Sequence, residues 1–203
     1  SGGSKTSYTS VAYDSNSNRY LIAFVDEGNS DYGTAVVASV SGTTVTLGTP
    51  AVFENAETND FGIAFDNNAN KFLIVYRDNG NSNYVSFGTP VVFNTSSNFT
   101  DPTPVTFDSS NNKVLISYRD AGNSNYGTSI VGTISGTGIS FGSEAVFESA
   151  NSSEMGSVFD SSNNKVVIAY RDTGNSNYGT AVVATISSTS VSFGTPVVFN
   201  SAA

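Results

Sequence analysis

The stretch YRDTGNSNYGTAVV, residues 170–183, decides how the chain is organised, because close copies of it recur three more times. The copies read YRDAGNSNYGTSIV at residues 118–131, YRDNGNSNY at residues 76–84 and FVDEGNSDYGTAVV at residues 24–37. A second repeated position, an aspartate before a polar turn, falls at Asp14, Asp66, Asp108 and Asp160, which are 52, 42 and 52 residues apart. Self-similarity with such a period indicates a protein built from four copies of one structural unit.

Each unit contains four short apolar runs separated by turn residues. In the third unit the runs cover residues 104–108, 113–120, 126–134 and 139–148. Alternating polarity, β-branched residues and short polar connections favour antiparallel strands, and four-stranded meanders at this spacing are typical of propeller blades. We therefore predict an all-β fold, a four-bladed β-propeller forming one ring per chain, with blade 4 packed on blade 1. The alternative is a partial ring that is completed by oligomerisation.

The predicted boundaries follow from the repeat. The chain is expected to form a single domain over residues 1–203, in which residues 1–6 are a linker scar and the blades cover residues 7–54, 60–94, 101–148 and 154–200. These four segments are called units 1 to 4 below.

Unit 2 is shorter than the others. After Tyr84 it continues directly with VSFGTPVVFN, residues 85–94, and it lacks the 12 residues that form the third run of unit 4. Without that run, the second and fourth strands of unit 2 would be neighbours running in the same direction. Parallel neighbouring strands need a crossover of about a dozen residues, which the short connection between these two strands does not supply. Residues 85–94 would then take the place of the third strand, with residues 95–101 leading back, or another chain would complete the edge, or the sequence omits a hairpin. The prediction is a second blade that lacks one strand and offers an edge for self-association.

Composition excludes several partners. The net charge is −9, with only eight Lys and Arg residues, so no basic face is expected and nucleic acid is excluded as a partner. No segment approaches the length of about 18 apolar residues that a membrane helix needs, so no membrane insertion is expected. The absence of Cys and His removes disulfides and the usual zinc ligands. An acidic, cysteine-free chain rich in Asn, Ser and Thr is typical of a protein that is extracellular or is located on the surface of a cell or virion.

The candidate site is the loop after the second strand of each unit. In a blade this loop shares one face with the connectors at residues 55–60, 95–101 and 150–154, and loops on a rigid scaffold often carry function. The candidate ligand-binding residues are Asp26, Asn29, Tyr32, Arg77, Asp78, Asn81, Asn83, Tyr84, Arg119, Asp120, Asn123, Asn125, Tyr126, Arg171, Asp172, Asn175, Asn177 and Tyr178. A structural alternative is that each Arg pairs with a neighbouring Asp and that Asp and Asn bond their own backbone.

Calcium is the one cofactor that the loop composition suggests, since Asp and Asn oxygens are hard-cation ligands. Asp78, Asp120 and Asp172 would be its ligands, but the spacing of an EF-hand is absent. The expectation is therefore that the protein needs no cofactor and no metal.

The plan of one unit, DPTPVTFDSSNNKVLISYRD at residues 101–120 followed by GTISGTGISFGSEAVF at residues 132–147, resembles a blade of the sialidase-type, Asp-box propellers. In that family the last hairpin carries a Ser-x-Asp-x-Gly-x-Thr-Trp turn. Here it reads SGTGISFG at residues 135–142 and SSTSVSFG at residues 187–194, which keep an early Ser and an aromatic but lack the signature Asp and Gly. The plan is also similar to the repetitive propellers of bacterial and viral surface or tail-fibre-like proteins.

The sialidase resemblance implies an arginine cluster for a carboxylate, a Tyr–Glu nucleophile and an acidic proton donor. Arg77, Arg119 and Arg171 would form such a cluster, but they occupy the same place in each unit, and no unique pair of carboxylates accompanies them. We therefore predict a non-catalytic recognition module that binds carbohydrate or another cell-surface ligand weakly at several equivalent sites. The alternatives are a structural spacer domain without a ligand and a sialidase-like glycoside hydrolase.

Overall fold

The computed structural model describes residues 5–79, 91–95 and 103–201, and the regular structure in this part of the chain consists of strands and three short 3-10 turns. The strands are β1 (Thr6–Asp14), β2 (Arg19–Asp26), β3 (Tyr32–Ser41), β4 (Thr44–Leu47), β5 (Ala51–Asp66), β6 (Lys71–Asp78), β7 (Val105–Asp108), β8 (Lys113–Asp120), β9 (Tyr126–Ser135), β10 (Gly138–Phe141), β11 (Ala145–Asp160), β12 (Lys165–Asp172), β13 (Tyr178–Ser187), β14 (Ser190–Phe193) and β15 (Val197–Asn200). A membrane-crossing helix is absent from these residues.

The strands form two antiparallel sheets. A six-stranded sheet has the order β1-β2-β3-β5-β6, with β4 also paired to β3. A nine-stranded sheet has the order β14-β13-β12-β11-β9-β8-β7, with β10 on β9 and β15 on β13. The prediction of an all-β, antiparallel architecture is thus confirmed. The strands assemble as two sheets and not as the four separate blades that the repeat predicted.

Two long strands account for this difference. The first half of β5 pairs with β3 and its second half pairs with β6, and β11 is shared between β9 and β12 in the same way. The register shifts inside each long strand, where Asp60 and Glu154 adopt positive φ values of 53° and 51°. The predicted connectors at residues 55–60 and 150–154 are therefore parts of continuous strands, because bulged but extended backbone carries the chain from one partner to the next.

The core lies between successive units. Leu115, Val131 and Phe147 of unit 3 pack against Ile168 and Tyr170 of unit 4 in one buried cluster. Two further clusters join unit 2 to unit 3 and unit 1 to unit 2 in the same manner. Each unit thus covers an apolar face of its neighbour, as expected for a protein in which stability comes from repeats and the interfaces between them.

The first strands of the units lie side by side, with β1 next to β5, β5 next to β7 and β7 next to β11. Among the described residues, β1–β4 make no comparable contact with β11–β15. The expected packing of unit 4 on unit 1 is therefore not found here, and apolar side chains at both ends are exposed.

Most of the shortened segment in unit 2 falls outside the described residues, which leaves the strand assignment of residues 85–90 and the path of residues 96–101 as predictions. Residues 91–95 are described and, contrary to the prediction, form no strand. The end of its last apolar run is described. The Phe93 ring packs on Tyr118 and Phe141 of unit 3, with ring centroids 5.3 and 5.4 Å apart. The buried Asn94 side chain donates a hydrogen bond to Glu144 at 3.0 Å. Unit 2 therefore keeps the contact that its last run makes with the next unit.

Candidate functional site

The repeated loop forms the same short 3-10 turn after β2, β8 and β12, at Glu27–Asn29, Ala121–Asn123 and Thr173–Asn175. The aspartate before each turn caps it. The carboxylates of Asp26, Asp120 and Asp172 accept backbone N–H groups at 3.1, 3.0 and 3.1 Å. Capping satisfies donors that the turn would otherwise leave unpaired. The repeated aspartates are therefore explained by the local structure.

The two residues that directly follow each turn adopt the left-handed conformation, for example Ser124 with φ 56° and Asn125 with φ 62°. Asn and Asp tolerate this conformation better than other non-glycine residues do, which accounts for Asp31, Asn125 and Asn177 at the second position. The reversal lets the N–H of Asn125 donate to the carbonyl of Asp120 at 2.8 Å.

Each loop is also anchored to the following long strand. The carbonyl of Asn125 accepts the N–H of Ser152 in β11 at 3.1 Å, and the carbonyl of Asp31 accepts that of Thr58 in β5 at 3.1 Å. Both donors are fully buried. The loops and the segments at 55–60 and 150–154 therefore meet, as the sequence predicted.

The arginines are held by carboxylates of the bulged long strands. Arg77 lies 3.9 Å from Asp60, and Arg171 lies 3.2 Å from Glu154. Arg119 is half-buried at the equivalent place in unit 3. Arg171 therefore pairs with Glu154 of the long strand and not with the adjacent Asp172, whose carboxylate caps the loop.

The remaining candidates differ in exposure. Tyr32, Tyr126 and Tyr178 open β3, β9 and β13 and are half-buried, and Asp78 is buried at the end of β6. Asn81, Asn83 and Tyr84 lie outside the described residues.

The last residue of each 3-10 turn is an exposed asparagine. The side-chain amides of Asn29, Asn123 and Asn175 make no hydrogen bond within the part of the chain that the structure describes. In contrast to the aspartate and the left-handed residues, the repetition of this asparagine has no local structural reason. Its amide offers one donor group and one acceptor to solvent at the same place in three units.

A second set of repeated residues lies at the other end of the strands. Asp14, Asp66, Asp108 and Asp160 each accept the N–H groups of the residues two and three positions ahead. The pKa of the Asp160 carboxyl is lowered by hydrogen bonds from the Asn163 side chain and from the Ser162 and Asn163 backbone. The Asp14 pKa is lowered in the same way, chiefly by the Ser17 hydroxyl. These turns have a structural role.

Buried tyrosines join the units. The Tyr170 hydroxyl donates to Glu148 at 3.0 Å, and the Tyr76 hydroxyl donates to Glu54 at 3.0 Å. Burial, and next the hydrogen bond to Glu148, raise the pKa of Tyr170. Burial and the bond to Glu144 raise the pKa of Tyr118 further above its usual value. A phenol with a raised pKa stays neutral, so Tyr118 and Tyr170 act as hydrogen-bond donors and are poorly suited to act as nucleophiles.

One cavity lies away from the loops, and a second, open cleft reaches the loop of unit 4. A pocket of about 200 Å³ between units 2 and 3 is lined by Leu73, Ile134 and Ile139, at the edge opposite the loops. Ligand pockets commonly have about 300–1,000 Å³. An open cleft beside Arg171 and Asn177 is completed by Phe199. Phe199 was not among the predicted site residues, although its position in the last apolar run of the last unit was a usable signal.

No cluster of three or more acidic side chains suited to a metal ion occurs among residues 5–79, 91–95 and 103–201. Calcium at Asp78, Asp120 or Asp172 remains a sequence-based prediction. No protein-family model matches the chain, and no curated protein has a similar sequence.

Proposed function

We propose that the chain is a non-catalytic recognition module of the propeller type, which binds a neutral, hydroxyl-rich ligand such as a surface carbohydrate at several equivalent loops. The observation that carries the proposal is the exposed, unpaired amide at Asn29, Asn123 and Asn175. A side-chain amide can both donate a hydrogen bond to a sugar hydroxyl and accept one from it. Three weak, equal sites gain affinity through avidity when the ligand is itself multivalent.

The propeller assignment is part of this proposal. The fourfold repeat, the side-by-side first strands and the shared strands β5 and β11 support four blades, each passing directly into the next. Blade 1 would contain β1–β4 and the start of β5, and blade 4 the end of β11 with β12–β15. We also propose an extracellular or surface location, on compositional grounds.

The proposed absence of catalysis rests on the contacts of the arginines. Arg77 and Arg171 already face carboxylates, so binding an anionic substrate would require these ion pairs to separate. A sialidase-like site remains the weaker alternative, and hydrolysis of a fluorogenic sialoside that is lost in Arg119→Ala would support it.

A glycan array, run with and without calcium, tests the proposal. Selective binding should be lost in the triple variant Asn29→Ala, Asn123→Ala and Asn175→Ala. The matched control replaces three exposed serines in the opposite turns, Ser15→Ala, Ser109→Ala and Ser161→Ala, and should bind as the wild type does. Binding that survives even when Asn81→Ala, at the same place in the sequence of unit 2, is added to the asparagine triple variant would refute the assignment of the loops.

A structural spacer is the second candidate, favoured by the loops themselves. Capping by Asp120, the left-handed Asn125 and the anchor to Ser152 explain most of the repeated motif without a ligand. An array without any selective binding, on protein shown to be folded, would support this candidate over the first.

A further inference from the structure

Every described junction between units follows one packing rule. A phenylalanine from the last apolar run of one unit contacts a tyrosine in the second strand of the next. The ring centroids of Phe53 and Tyr76 are 5.3 Å apart, those of Phe93 and Tyr118 are 5.3 Å apart, and those of Phe147 and Tyr170 are 5.1 Å apart. Two complementary faces therefore exist on each unit, one toward the previous unit and one toward the next.

The face of unit 4 that would meet a following unit is uncovered. We call it the tail face and define it by Val158, Val183, Val197 and Phe199. Phe199 is 65% exposed, whereas its counterpart Phe147 in unit 3 is 7% exposed. Both rings nevertheless hold the same position over a glycine, because a Cβ added at Gly179 or Gly127 would meet them at 2.6 or 2.5 Å. Phe199 is thus already placed as in a formed junction.

The face of unit 1 that would meet a preceding unit is uncovered as well. We call it the head face and define it by Val11, Val40, Val45 and Leu47, with the half-buried Phe24 at the tyrosine position. Val45 and Leu47 are each 59% exposed. Their counterparts Ile139 and Phe141 in unit 3, and Val191 and Phe193 in unit 4, pack against the cores of the junctions.

The two free faces match each other in chemistry. In the junction of units 3 and 4, Thr106 hydrogen-bonds to Ser157. The equivalent positions on the tail and head faces are Val158 and Val11, which are both apolar and are 62% and 61% exposed. A polar pair inside the chain is thus replaced by an apolar pair across the free ends.

A second pair of contacting positions also differs between the internal junction and the two free faces. In the junction of units 3 and 4 the hydroxyl of Tyr170 donates to the carboxylate of Glu148. At the free ends the tyrosine is replaced by Phe24 and the glutamate by Asn200. The hydroxyl and the charge are lost together, so a contact between the two faces would bury no carboxylate without its donor.

We propose that two copies of this chain associate head to tail, the tail face of each covering the head face of the other. The two contacts are identical and related by a two-fold axis, and they cover the head face and the tail face of both chains. The pair contains eight units in one closed ring. Each contact continues the interface that already joins the units, with Phe199 against Phe24 and Leu47, and Val158 against Val11.

The first test is the mass of the chain in solution, measured by light scattering during size-exclusion chromatography. The expected mass is twice the chain mass of 21.1 kDa. Phe199→Asp should reduce it to that of one chain while the circular dichroism spectrum stays unchanged. Val146→Asp is the matched control, because this valine and its counterparts Val52 and Val198 are exposed to a similar degree in all three units. The control should remain a dimer.

Several outcomes would overturn the proposal. One is a measured wild-type mass equal to that of a single chain. This result would mean that the two faces stay open, bind another protein or close on each other within the monomer. Another is a mass that keeps growing with concentration, because it would mean that head and tail contacts form an open fibre.

Cross-linking tests the orientation. The chain has no cysteine, so single cysteines can be introduced without background. A tagged Val11→Cys chain is mixed with an untagged Val158→Cys chain under mild oxidation, and the mixed disulfide dimer should form in large excess over the two homodimers. Val146→Cys, mixed with either chain, should give little product. Homodimers in equal or greater yield would refute head-to-tail association even if the mass is that of a dimer.

Discussion

At the residue scale, the repeated loop separates positions with a structural role from the one that has none. Asp172 caps the 3-10 turn and Asn177 adopts the left-handed conformation, whereas the amide of Asn175 is exposed. Repetition alone therefore does not identify a ligand-binding residue. The capping contact and the exposed amide can be tested separately on this one loop.

We expect Asp172→Ala to lower the free energy of unfolding by about 1 kcal/mol, because the donor that the carboxylate satisfies loses its partner. Asp172→Asn keeps an acceptor oxygen and should cost less. Asn175→Ala, three residues further on, should leave stability unchanged. Urea denaturation of the three variants provides the measurement, and equal losses for Asp172→Ala and Asn175→Ala would contradict the assigned roles.

The turn aspartates give a pH dependence with a definite sign. Because the folded pKa of Asp160 lies below that of the unfolded chain, its stabilisation is present above the unfolded pKa and is lost as pH falls through the folded pKa. Asp160→Asn should therefore lower the thermal midpoint at pH 7, and the difference from wild type should shrink in strong acid. Thermal melts at both pH values measure this, and a constant difference would show that the charge is not involved.

At the element scale, the strands were largely predictable and their assembly was not. Alternation and turn chemistry correctly indicated β8 and β9 and the polar turns beside them, whereas the single run predicted at residues 139–148 is divided between β10 and the start of β11. The continuity of β5 and β11 was missed, because Asn, Ser and Glu in residues 55–60 and 150–154 are typical of loops. Bulges allow these polar residues to lie in strands whose first and second halves have different partners.

The glycine at the second position of β3, β9 and β13 provides a test of this packing. A Cβ at Gly127 would lie 2.5 Å from the buried Phe147 ring, so Gly127→Ala should reduce stability by about 1–3 kcal/mol. Gly156→Ala is the control, because its Cβ would meet nothing within 4 Å and φ is not in the left-handed region. The free energy of unfolding of Gly156→Ala should equal or slightly exceed that of the wild type. Similar losses in both variants would argue that backbone freedom, and not the ring contact, is the reason for the glycine.

At the scale of the whole molecule, the sequence predicted four equivalent units but could not show which faces stay open. The exposure of Phe199 depends on the absence of a neighbour, and the repeat pattern gives it the same place within its unit as the buried Phe147. The candidate site has the same limitation, since the exposed asparagines and the capping aspartates recur with equal regularity. Only contacts distinguish them.

The tyrosines at the junctions make the whole molecule sensitive to alkaline pH. Burial raises the folded pKa of Tyr118 and Tyr170 above that of an unfolded chain, so their stabilisation is present below the unfolded pKa, near 10, and is lost as pH rises beyond it. We expect cooperative unfolding in alkali, with tyrosinate absorbance and loss of β-sheet signal appearing together. Tyr118→Phe should unfold at higher pH than the wild type does. Gradual titration of all tyrosines in a folded chain would contradict this expectation.

The junctions also predict that equivalent residues differ in their contribution to stability. Phe147→Ala removes a ring buried between Tyr170 and Phe193 and should lower the free energy of unfolding by about 3 kcal/mol. Phe199→Ala removes an exposed ring, so within one chain the loss should be far smaller. Denaturation at decreasing protein concentration separates the two effects, since any contribution of Phe199 that comes from a second copy declines with dilution, whereas that of Phe147 stays constant. A loss in Phe199→Ala that is as large as that in Phe147→Ala and independent of concentration would mean that unit 4 is covered within its own chain.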